Sequence, residues 1–367
     1  MRIGVDARFL VEEKTGVETY FHQLLSRLIR LGGDEEYVLF RGDSLMPELP
    51  AGRWRLVGAG GRAWSWGLTG KLSAESLDLF YSPVTAFPLA GAPRSIVTIH
   101  DLSWHHTPSS YSTLERARQR RWTALAARHA DGIVVVSETT GKDFAALHPS
   151  AAGKMTTISP GVDDSSFGSV PASEVQRVRD RYGLTGRYLL ALASFHPRKN
   201  LPGLVEAYDR FRSRGPERLQ LLLAGRGGSD SSRVLDRVAR SPFRSDILLS
   251  GYVPQTDLAA LYAAAELFVL ASHYEGFGIP ALEAMARGTP VLVSDLPVFR
   301  EVCGEAALRV APGDADALAE GIGASIRDTP ARSARIEAGI SRARGYRWEN
   351  SATRLVDFFR QVERRAS

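Results

Sequence analysis

The chain has 367 residues, of which 44% are hydrophobic and 24% are charged. This composition excludes disordered, collagen-like and coiled-coil proteins, and the length predicts about two globular domains. The formal net charge is +5, and residues 1–165 contain equal numbers of basic and acidic side chains. The basic excess therefore lies beyond residue 165, where it is too dilute for a nucleic-acid surface but suits a domain that binds a small polyanion.

The sequence also predicts the compartment. No run of about 18 apolar residues occurs, and the segment from Met1 to Asp6 is typical of a first strand rather than of a secretion signal. The single cysteine, Cys303, cannot form an internal disulfide, which fits a reducing compartment. We therefore expect a cytoplasmic protein that does not span the membrane.

Short apolar runs alternate with amphipathic segments, a pattern typical of parallel strands covered by helices on both faces. In chain order, the first half contains predicted strands at Arg2–Asp6, Tyr37–Phe40, Leu77–Tyr81, Ile96–His100, Gly132–Ser137 and Met155–Ile158, and predicted helices at Val17–Arg30, Leu114–His129 and Thr139–Leu147. After a predicted linker at Pro160–Ser173, a second series contains strands at Tyr188–Ala193, Leu219–Ala224, Ile247–Leu249, Leu267–Leu270, Pro290–Ser294 and Ala307–Val310, and helices near Leu201–Arg214, Asp257–Ala264, Ile279–Ala286 and Ala315–Arg327. The sequence thus predicts an α/β protein of two Rossmann-like, doubly wound parallel-sheet domains with an interdomain cleft, and ligand-binding residues in the loops after the strands.

A glycine-rich loop follows the predicted strand that ends at Leu270. Gly276 and Gly278 permit close approach of a ligand to the backbone, and the following helix offers free N–H groups to an anion. Glu283 stands on that mostly apolar helix, so its carboxylate needs partners. These could be ligand hydroxyls, or Glu283 could lie exposed on the outer face or pair with an arginine at the helix end.

The segment from Glu275 to Val291 carries a more specific pattern. Two glutamates separated by seven residues lie within Glu-Gly-Phe-Gly-Ile-Pro-Ala-Leu-Glu-Ala-Met-Ala-Arg-Gly-Thr-Pro-Val, which resembles the signature of the retaining glycosyltransferases of family 4, also called group 1. Further matching stretches are Thr15–Tyr20, Ile99–Leu102, Val136–Glu138, Ile158–Asp163, Pro197–Asn200 and Gly251–Val253. The resemblance implies the GT-B fold, with an acceptor-side domain over 1–165, a nucleotide-sugar domain over 166–345, and a C-terminal helix over 346–367 that crosses back to the first domain.

The resemblance also implies roles for individual residues. Glu275 would bind hydroxyls of the donor sugar, and His100 would lie near the reacting centre. The implied donor-binding residues are Gly16, Arg198 and Lys199 at the diphosphate, Val253 at the nucleobase, Phe277, Gly278 and Ile279 beside the sugar, and Glu283 at the ribose hydroxyls. From the residues alone, an arginine–lysine pair after a strand is more often a solvated loop.

The chemistry of transfer makes these residue types suitable. Breaking the bond between an anomeric carbon and a nucleoside diphosphate places negative charge on the leaving phosphate, which fixed cations stabilise. A double displacement would need a carboxylate nucleophile. Asp101 is the nearest candidate, but an aspartate after a strand more often caps the next turn. We therefore predict front-face transfer, in which the leaving phosphate accepts the proton of the acceptor. His100 would then position and polarise, and it is a weaker candidate for a general base; with Glu275 it forms the implied catalytic pair.

No metal or other cofactor is predicted, and the nucleotide sugar is a co-substrate. Asp314 and Asp316 copy the Asp-x-Asp spacing of metal-dependent glycosyltransferases of the other major fold. Their place before an amphipathic run instead indicates a helix cap. His105 and His106 lack further ligands at a useful spacing.

Two stretches of the first half concern the acceptor. Trp64 and Trp66 lie among arginines, and the predicted helix Leu114–His129 carries Arg118 and Arg121 among five arginines. Such segments suit an anionic lipid surface or a saccharide acceptor, although packed tryptophans and a solvated arginine face would look the same. A peripheral contact with the inner face of the membrane is therefore an open prediction.

The sequence predicts a metal-independent, retaining hexosyltransferase that acts on a saccharide or lipid-linked saccharide. The segment from Ile3 to Arg8 looks most like mannosyltransferases, so GDP-mannose is the first donor expected. The alternatives are a nucleotide-sugar epimerase of the same fold and a non-catalytic nucleotide-sugar-binding subunit of a polysaccharide assembly.

Overall fold

The computed structural model describes residues 1–42, 47–59, 64–327 and 329–365. The chain divides into two compact units. Unit 1 is formed by Met1–His105, Tyr111–Gly161 and Arg347–Ser367, and unit 2 by His106–Ser110 and Val162–Tyr346. Within the described residues, no helix is both long enough and apolar enough to cross a membrane.

Unit 1 is built on a parallel sheet of seven strands, whose order is β3-β2-β1-β4-β5-β6-β7. Its elements up to Gly161 are β1 (Arg2–Asp6), α1 (Gly16–Leu31), β2 (Glu36–Arg41), β3 (Trp54–Gly58), α2 (Trp64–Ala74), β4 (Leu79–Ser82), β5 (Ser95–Ile99), α3 (Ser103–His106, its last residue in unit 2), α4 (Thr113–His129), β6 (Gly132–Val135), α5 (Glu138–Leu147) and β7 (Met155–Thr157). The strand order reverses between β1 and β4, which is where parallel sheets of this kind place their ligand-binding loops.

Unit 2 repeats this architecture with six parallel strands in the order β10-β9-β8-β11-β12-β13. Its elements are α6 (Ala172–Tyr182), β8 (Tyr188–Leu192), α7 (Leu201–Ser213), β9 (Gln220–Ala224), α8 (Ser231–Ala239), β10 (Ile247–Gly251), α9 (Gln255–Ala264), β11 (Leu267–Leu270), α10 (Ile279–Ala286), β12 (Val291–Ser294), α11 (Pro297–Cys303), β13 (Ala307–Val310), α12 (Ala315–Ile326) and α13 (Pro330–Arg344). The order reverses between β8 and β11, so the loops after these two strands lie side by side.

The last helix, α14 (Trp348–Arg364), belongs to unit 1 and packs along α1. Its apolar side chains recur at helical spacing, and Leu355, Phe359 and Val362 are buried. One face of α14 therefore completes the first core. The close approach of the backbones is visible at Gly161, where a Cβ atom would lie 2.3 Å from the amide nitrogen of Trp348.

The prediction of two doubly wound parallel-sheet domains is confirmed. The predicted linker at Pro160–Ser173 contains the boundary between the units, which falls at Gly161, but its last two residues are helical because α6 begins at Ala172. The sequence analysis also missed β3, a half-exposed edge strand, together with the helices α2, α3, α6, α8, α11 and α13.

Candidate functional site

The loops after β8 and β11 meet where the strand order of unit 2 reverses. The backbone amide of His273 donates to the carbonyl of Arg198 at 2.7 Å, and the guanidinium of Arg198 donates to the carbonyl of Tyr274 at 3.1 Å. These bonds connect two loops that are separated by about 75 residues of chain. They place the predicted residues of both loops in one site.

Glu275 lies at the centre of this site. Its carboxylate is paired with Arg198 at 2.8 Å and with Lys199, and it accepts a hydrogen bond from the Ser272 hydroxyl at 2.7 Å. All three charged side chains are at least four-fifths buried. Burial alone would raise the pKa of Glu275, but the charges of Lys199 and Arg198 and the hydrogen bonds outweigh it and lower that pKa to about 2. The carboxylate is therefore ionised at every physiological pH.

Backbone conformation shapes both loops. Asn200 takes a left-handed conformation with φ 52° as it ends the turn that carries Arg198 and Lys199 and starts α7. Gly278 has φ 95° at the start of α10, and a Cβ atom there would lie 2.6 Å from the ring of Phe299. Only glycine fits this position. The second glycine of the motif is therefore explained by steric crowding in the fold, in addition to the close approach of a ligand that the sequence predicts.

Glu283 is partly buried on α10, and its carboxylate accepts a hydrogen bond from the Tyr262 hydroxyl at 2.9 Å. Burial raises the pKa of Glu283 to about 7, although the Tyr262 bond and the charge of Arg287 act in the opposite direction. Of the predicted partners, the structure shows Arg287 near Glu283 and adds Tyr262. A carboxylate can accept several hydrogen bonds, so Glu283 can accept more besides the one from Tyr262.

The remaining predicted donor residues of unit 2 lie on the same loops or nearby. Phe277 is buried and packs edge-to-face on Tyr346 at 5.6 Å, and Ile279 is the first residue of α10. Val253 is buried after β10. Burial of the Phe277 and Val253 side chains leaves their backbone as the part that a ligand could reach, whereas Ile279 is only partly buried.

In unit 1, Gly16 begins α1, and a Cβ atom at this position would meet no other atom within 4 Å. The space at the start of this helix is therefore open. His100 follows β5 and is partly buried, and its Nε2 lies 2.7 Å from the carbonyl oxygen of Pro83. Because a carbonyl only accepts, Nε2 carries the proton. Burial lowers the pKa of His100, so the neutral Nε2–H tautomer is the stable form.

Two aspartates that the sequence left open serve as caps. Asp101 accepts from the amide of Ser103 at 2.9 Å, and Asp314 accepts from the amides of Asp316 and Ala317 at the start of α12. The capping interpretation is confirmed for both residues. Across the described ranges, no three His, Cys, Asp or Glu side chains form a group that could hold a metal ion.

The predicted acceptor-side residues are only partly described. Arg118 and Arg121 are exposed on α4. The backbone of Trp64 and Trp66 begins α2, but their side chains lie outside the described part of the chain.

Sequence analysis missed two residues of the unit 2 site. Ser272 lies three residues before Glu275, and its hydroxyl donates to the Glu275 carboxylate. A serine at this spacing in a loop can form such a local hydrogen bond, so the sequence did contain a signal for this pair. Tyr262 reaches Glu283 across the packing of α9 against α10, and no local pattern signals that pairing.

Two family models match the chain along both units. The model described as Glycosyltransferase Family 4 matches residues 14–166, and the model described as Glycosyl transferases group 1 matches residues 174–342. Together they span all the residues assigned above to the site of unit 2.

Similar proteins agree with these matches. O-antigen chain mannosyltransferase B of Escherichia coli is 29% identical over 374 residues, which cover 94% of this chain and 96% of that protein. Among solved structures, sucrose-phosphate synthase from Thermosynechococcus elongatus has a TM-score of 0.80 at 21% identity and covers 98% of both chains. HepE of Anabaena in complex with UDP-glucose has a TM-score of 0.80 at 16% identity, covering 98% of this chain and 100% of that one.

The fold and the matches define a glycosyltransferase with two Rossmann-like domains, the GT-B fold. More narrowly, the chain belongs to the family 4 glycosyltransferases and carries their group 1 domain in unit 2.

Proposed function

We propose that this glycosyltransferase transfers mannose from GDP-mannose, with retention of configuration and without a metal ion, to a hydroxyl of a saccharide or lipid-linked saccharide in O-antigen-type polysaccharide synthesis. The similarity to an O-antigen mannosyltransferase over nearly the whole of both chains supports the sugar and the pathway. The observation that carries the proposal is the ionised Glu275 between Arg198 and Lys199 at the switch point of unit 2.

Each partner in this group has a role in the proposed reaction. Glu275 accepts hydrogen bonds from donor-sugar hydroxyls, and its low pKa keeps it an acceptor throughout the reaction. Arg198 offers a planar fork and Lys199 a compact charge to the diphosphate. As the glycosidic bond breaks, negative charge grows on the leaving phosphate, and these fixed cations stabilise the transition state more than the ground state. Their charge is why no metal ion is required.

The state of His100 bears on the direction of proton transfer. Its Nε2–H is already committed to Pro83, so Nε2 is not available as a base. In the proposed front-face reaction the acceptor oxygen bonds to the anomeric carbon while the bond to the diphosphate breaks, and the acceptor proton passes to the leaving phosphate oxygen. His100 then orients the sugar by accepting a hydroxyl hydrogen bond at Nδ1, and the leaving phosphate rather than His100 takes the acceptor proton.

The test is product analysis with purified protein. GDP-mannose, UDP-glucose and other nucleotide hexoses are supplied with and without saccharide acceptors, and the anomeric configuration of the product is read by NMR. Release of GDP with formation of an α-mannoside supports the proposal. An epimerised donor, an inverted product, or binding without turnover would reject it.

A matched pair of variants assigns the chemistry to Glu275. Asp257 is also a buried carboxylate of unit 2, held by Arg177, Arg181 and Tyr182, but its partners lie on α6. Glu275→Gln is expected to abolish transfer, whereas Asp257→Asn loses a comparable ion-pair group and keeps activity in the folded fraction. Equal activity of the two variants would remove Glu275 from the proposal.

We also propose that unit 1 contacts an anionic lipid surface through α4. On this helix Leu114, Arg118, Arg121 and Arg128 recur at helical spacing on one face, and all are exposed. In the described part of the chain none of these arginines forms an ion pair, and Glu115, the one acidic residue of the helix, accepts hydrogen bonds from Ser112 at the N-cap. The face therefore presents uncompensated positive charge beside an exposed leucine, which suits lipid phosphates.

Vesicle sedimentation tests this surface. Each arginine near an anionic membrane contributes about 1 kcal/mol, so R118Q/R121Q/R128Q is expected to weaken binding to phosphatidylglycerol-containing vesicles by about two orders of magnitude. R218Q/R240Q/R244Q removes the same charge from exposed positions of unit 2 and serves as the control. Three results would overturn the proposal that α4 binds anionic lipid: equal weakening of vesicle binding in both triple variants, tight binding to neutral vesicles, or stronger binding to duplex DNA than to vesicles.

A further inference from the structure

Tyr20 lies between His100 and the first residue of the C-terminal helix. The rings of Tyr20 and His100 meet edge-to-face at 5.1 Å and 89°, and those of Tyr20 and Trp348 at 5.8 Å and 65°. All three residues belong to unit 1, where Tyr20 is on α1, His100 follows β5 and Trp348 begins α14. A chain of ring contacts thus connects the start of α14 with a residue implied in transfer.

The position of Tyr20 is strongly determined. Its side chain is 1% exposed, and its hydroxyl donates to the carbonyl of Ile158 at 3.2 Å. A buried aromatic ring that is held by a hydrogen bond and by two ring contacts has little freedom to change rotamer, because protein interiors pack at high density.

The start of α14 is equally fixed on the same segment. The hydroxyl of Ser351 donates to the carbonyl of Ser159 at 2.6 Å, and Gly161 allows the backbone of Arg347 and Trp348 to approach closely. The segment Ile158–Gly161 therefore holds both Tyr20 and α14.

These contacts restrict the imidazole of His100 in two ways. The hydrogen bond from Nε2 to Pro83 fixes one edge of the ring, and the edge-to-face contact with Tyr20 fixes the plane. A hydrogen bond alone would allow rotation about the Nε2–oxygen direction. The Tyr20 ring removes that freedom, and Trp348 removes the corresponding freedom of Tyr20.

We propose that Tyr20 and Trp348 are positioning residues for His100, so that the C-terminal helix contributes directly to the transfer step. The inference rests on the proposed function for its kinetic consequence, but not for its structural one. Loss of either ring lets the imidazole rotate, which lowers kcat because the oriented group is no longer held in the productive geometry. Donor binding in unit 2 is not affected, so KM for the nucleotide sugar stays close to that of the wild type.

The chain offers a matched control on the same helix. Phe359 is fully buried on α14 and packs on Tyr81 at 5.4 Å, as Trp348 packs on Tyr20. Tyr81 interacts with Tyr20 through the hydroxyl groups but has no described ring contact with His100, so the control keeps the ring contact between Tyr20 and His100. Trp348→Leu and Phe359→Leu therefore remove comparable contacts between α14 and a buried tyrosine. A general effect of loosening the helix would appear in both variants.

The experiment compares Tyr20→Leu, Tyr20→Phe, Trp348→Leu and Phe359→Leu in kinetics and in ¹⁵N NMR of the histidine side chains. Tyr20→Leu is expected to lower kcat about 10- to 100-fold with little change in donor KM, and to broaden or shift the His100 imidazole signals. Tyr20→Phe keeps the ring and retains kcat, and Trp348→Leu gives a smaller loss than Tyr20→Leu. Phe359→Leu lowers the melting temperature without either effect.

A double mutant separates positioning from stability. If Tyr20 acts through His100, Tyr20→Leu adds nothing to the loss already caused by His100→Ala, whereas independent effects would add. Additive losses, or equal kinetics and equal His100 signals in Tyr20→Leu and Phe359→Leu, would overturn the inference. A wild-type protein with no transferase activity would reject the proposed function instead, and the NMR comparison would still decide whether Tyr20 and Trp348 position the ring.

Discussion

Arg198 and Glu275 lie 77 positions apart in the chain and are joined by an ion pair of 2.8 Å between Nη1 and Oε2. With Lys199, they form a buried group of two cations and one anion whose net charge is positive. Removing the anion leaves two desolvated cations side by side. Removing a cation leaves the carboxylate with one cationic partner and the Ser272 hydroxyl. The group therefore couples the stability of unit 2 to its affinity for anions.

Glu275→Gln is expected to lower the free energy of unfolding at pH 7 by about 3–5 kcal/mol, the cost of breaking a buried ion pair by removing one partner. A nucleoside diphosphate should restore part of this loss, because its phosphates supply the missing negative charge. Thermal shift measurements with GDP check this: the increase in melting temperature should be larger for Glu275→Gln than for the wild type.

Asp257→Asn is the control for that experiment, since it removes a similarly paired carboxylate. Its stability should fall, but its thermal shift with GDP should equal that of the wild type. A GDP response that is reduced in Glu275→Gln would show that Arg198 and Lys199 do not meet the diphosphate.

The raised pKa of Glu283 predicts a pH dependence of stability. Between its ordinary pKa and about 7 the folded protein holds a proton that the unfolded chain has released, so stability falls as pH rises through this window. Glu283→Gln keeps an acceptor for Tyr262 and removes the penalty. We expect the free energy of unfolding of the variant at pH 8 to exceed that of the wild type by about 1–2 kcal/mol. This is less than the whole pKa shift of Glu283 would give, because water screens a partly exposed group.

At pH 4, below the ordinary pKa of a glutamate, this difference in unfolding free energy should vanish, as urea titrations at the two pH values can show. The same ionisation affects binding, because ribose hydroxyls donate to the charged form and favour it. Guanosine, which carries no titrating phosphate, should bind the wild type more tightly at pH 8 than at pH 6, and the Gln variant equally at both. If the affinity of the wild type for guanosine falls as the pH rises, Glu283 does not bind the ribose hydroxyls.

Transfer activity should be unchanged by an excess of EDTA. Asp314 is occupied as the cap of α12, and Asp316 pairs with Arg210 and Arg214. Under the proposal, the charge needed by the leaving group comes from Arg198 and Lys199. Initial rates with and without chelator test this. A loss that Mg²⁺ or Mn²⁺ restores would show a metal-dependent reaction.

Cys303 should resist thiol reagents in the native protein. It is fully buried, and burial raises the pKa of its thiol to about 12, so almost no thiolate is present at neutral pH. Reaction with a disulfide reagent should be slow in buffer and complete in denaturant, and a bound nucleotide should slow it further. Rapid native labelling would contradict the burial of this part of unit 2.

The sequence predicts the central strands well, because parallel strands that are buried on both faces appear as short apolar runs bounded by loops. β1, β11 and β13 were predicted with the bounds the structure shows. The edge strand β3 was missed, since Arg55 interrupts the apolar run and Leu56 is half exposed. α13 was missed for a related reason: only Gly339 and Ala343 are buried on it, so it has little apolar periodicity.

The site shows a different limit. A motif can indicate that Glu275 and Arg198 share a site, because both follow strands at the carboxyl edge of the sheet. The motif does not predict the Tyr262–Glu283 hydrogen bond, because that bond depends on how α9 packs against α10. It also does not predict the contact between Tyr20 and Trp348, because these residues are far apart in the chain. Tertiary packing, rather than local propensity, sets these pairs.

The membership of α14 in unit 1 has a consequence for biosynthesis. A ribosome finishes the strands of the first sheet before it makes most of unit 2, yet the helix that covers Tyr20 and Tyr81 emerges only after all of unit 2. Unit 2 can mature during translation, whereas the nascent first unit waits with an unsealed apolar surface that holdase chaperones would bind. A nonsense codon between the codons for Tyr346 and Arg364 would therefore damage unit 1, whose strands were made before most of unit 2.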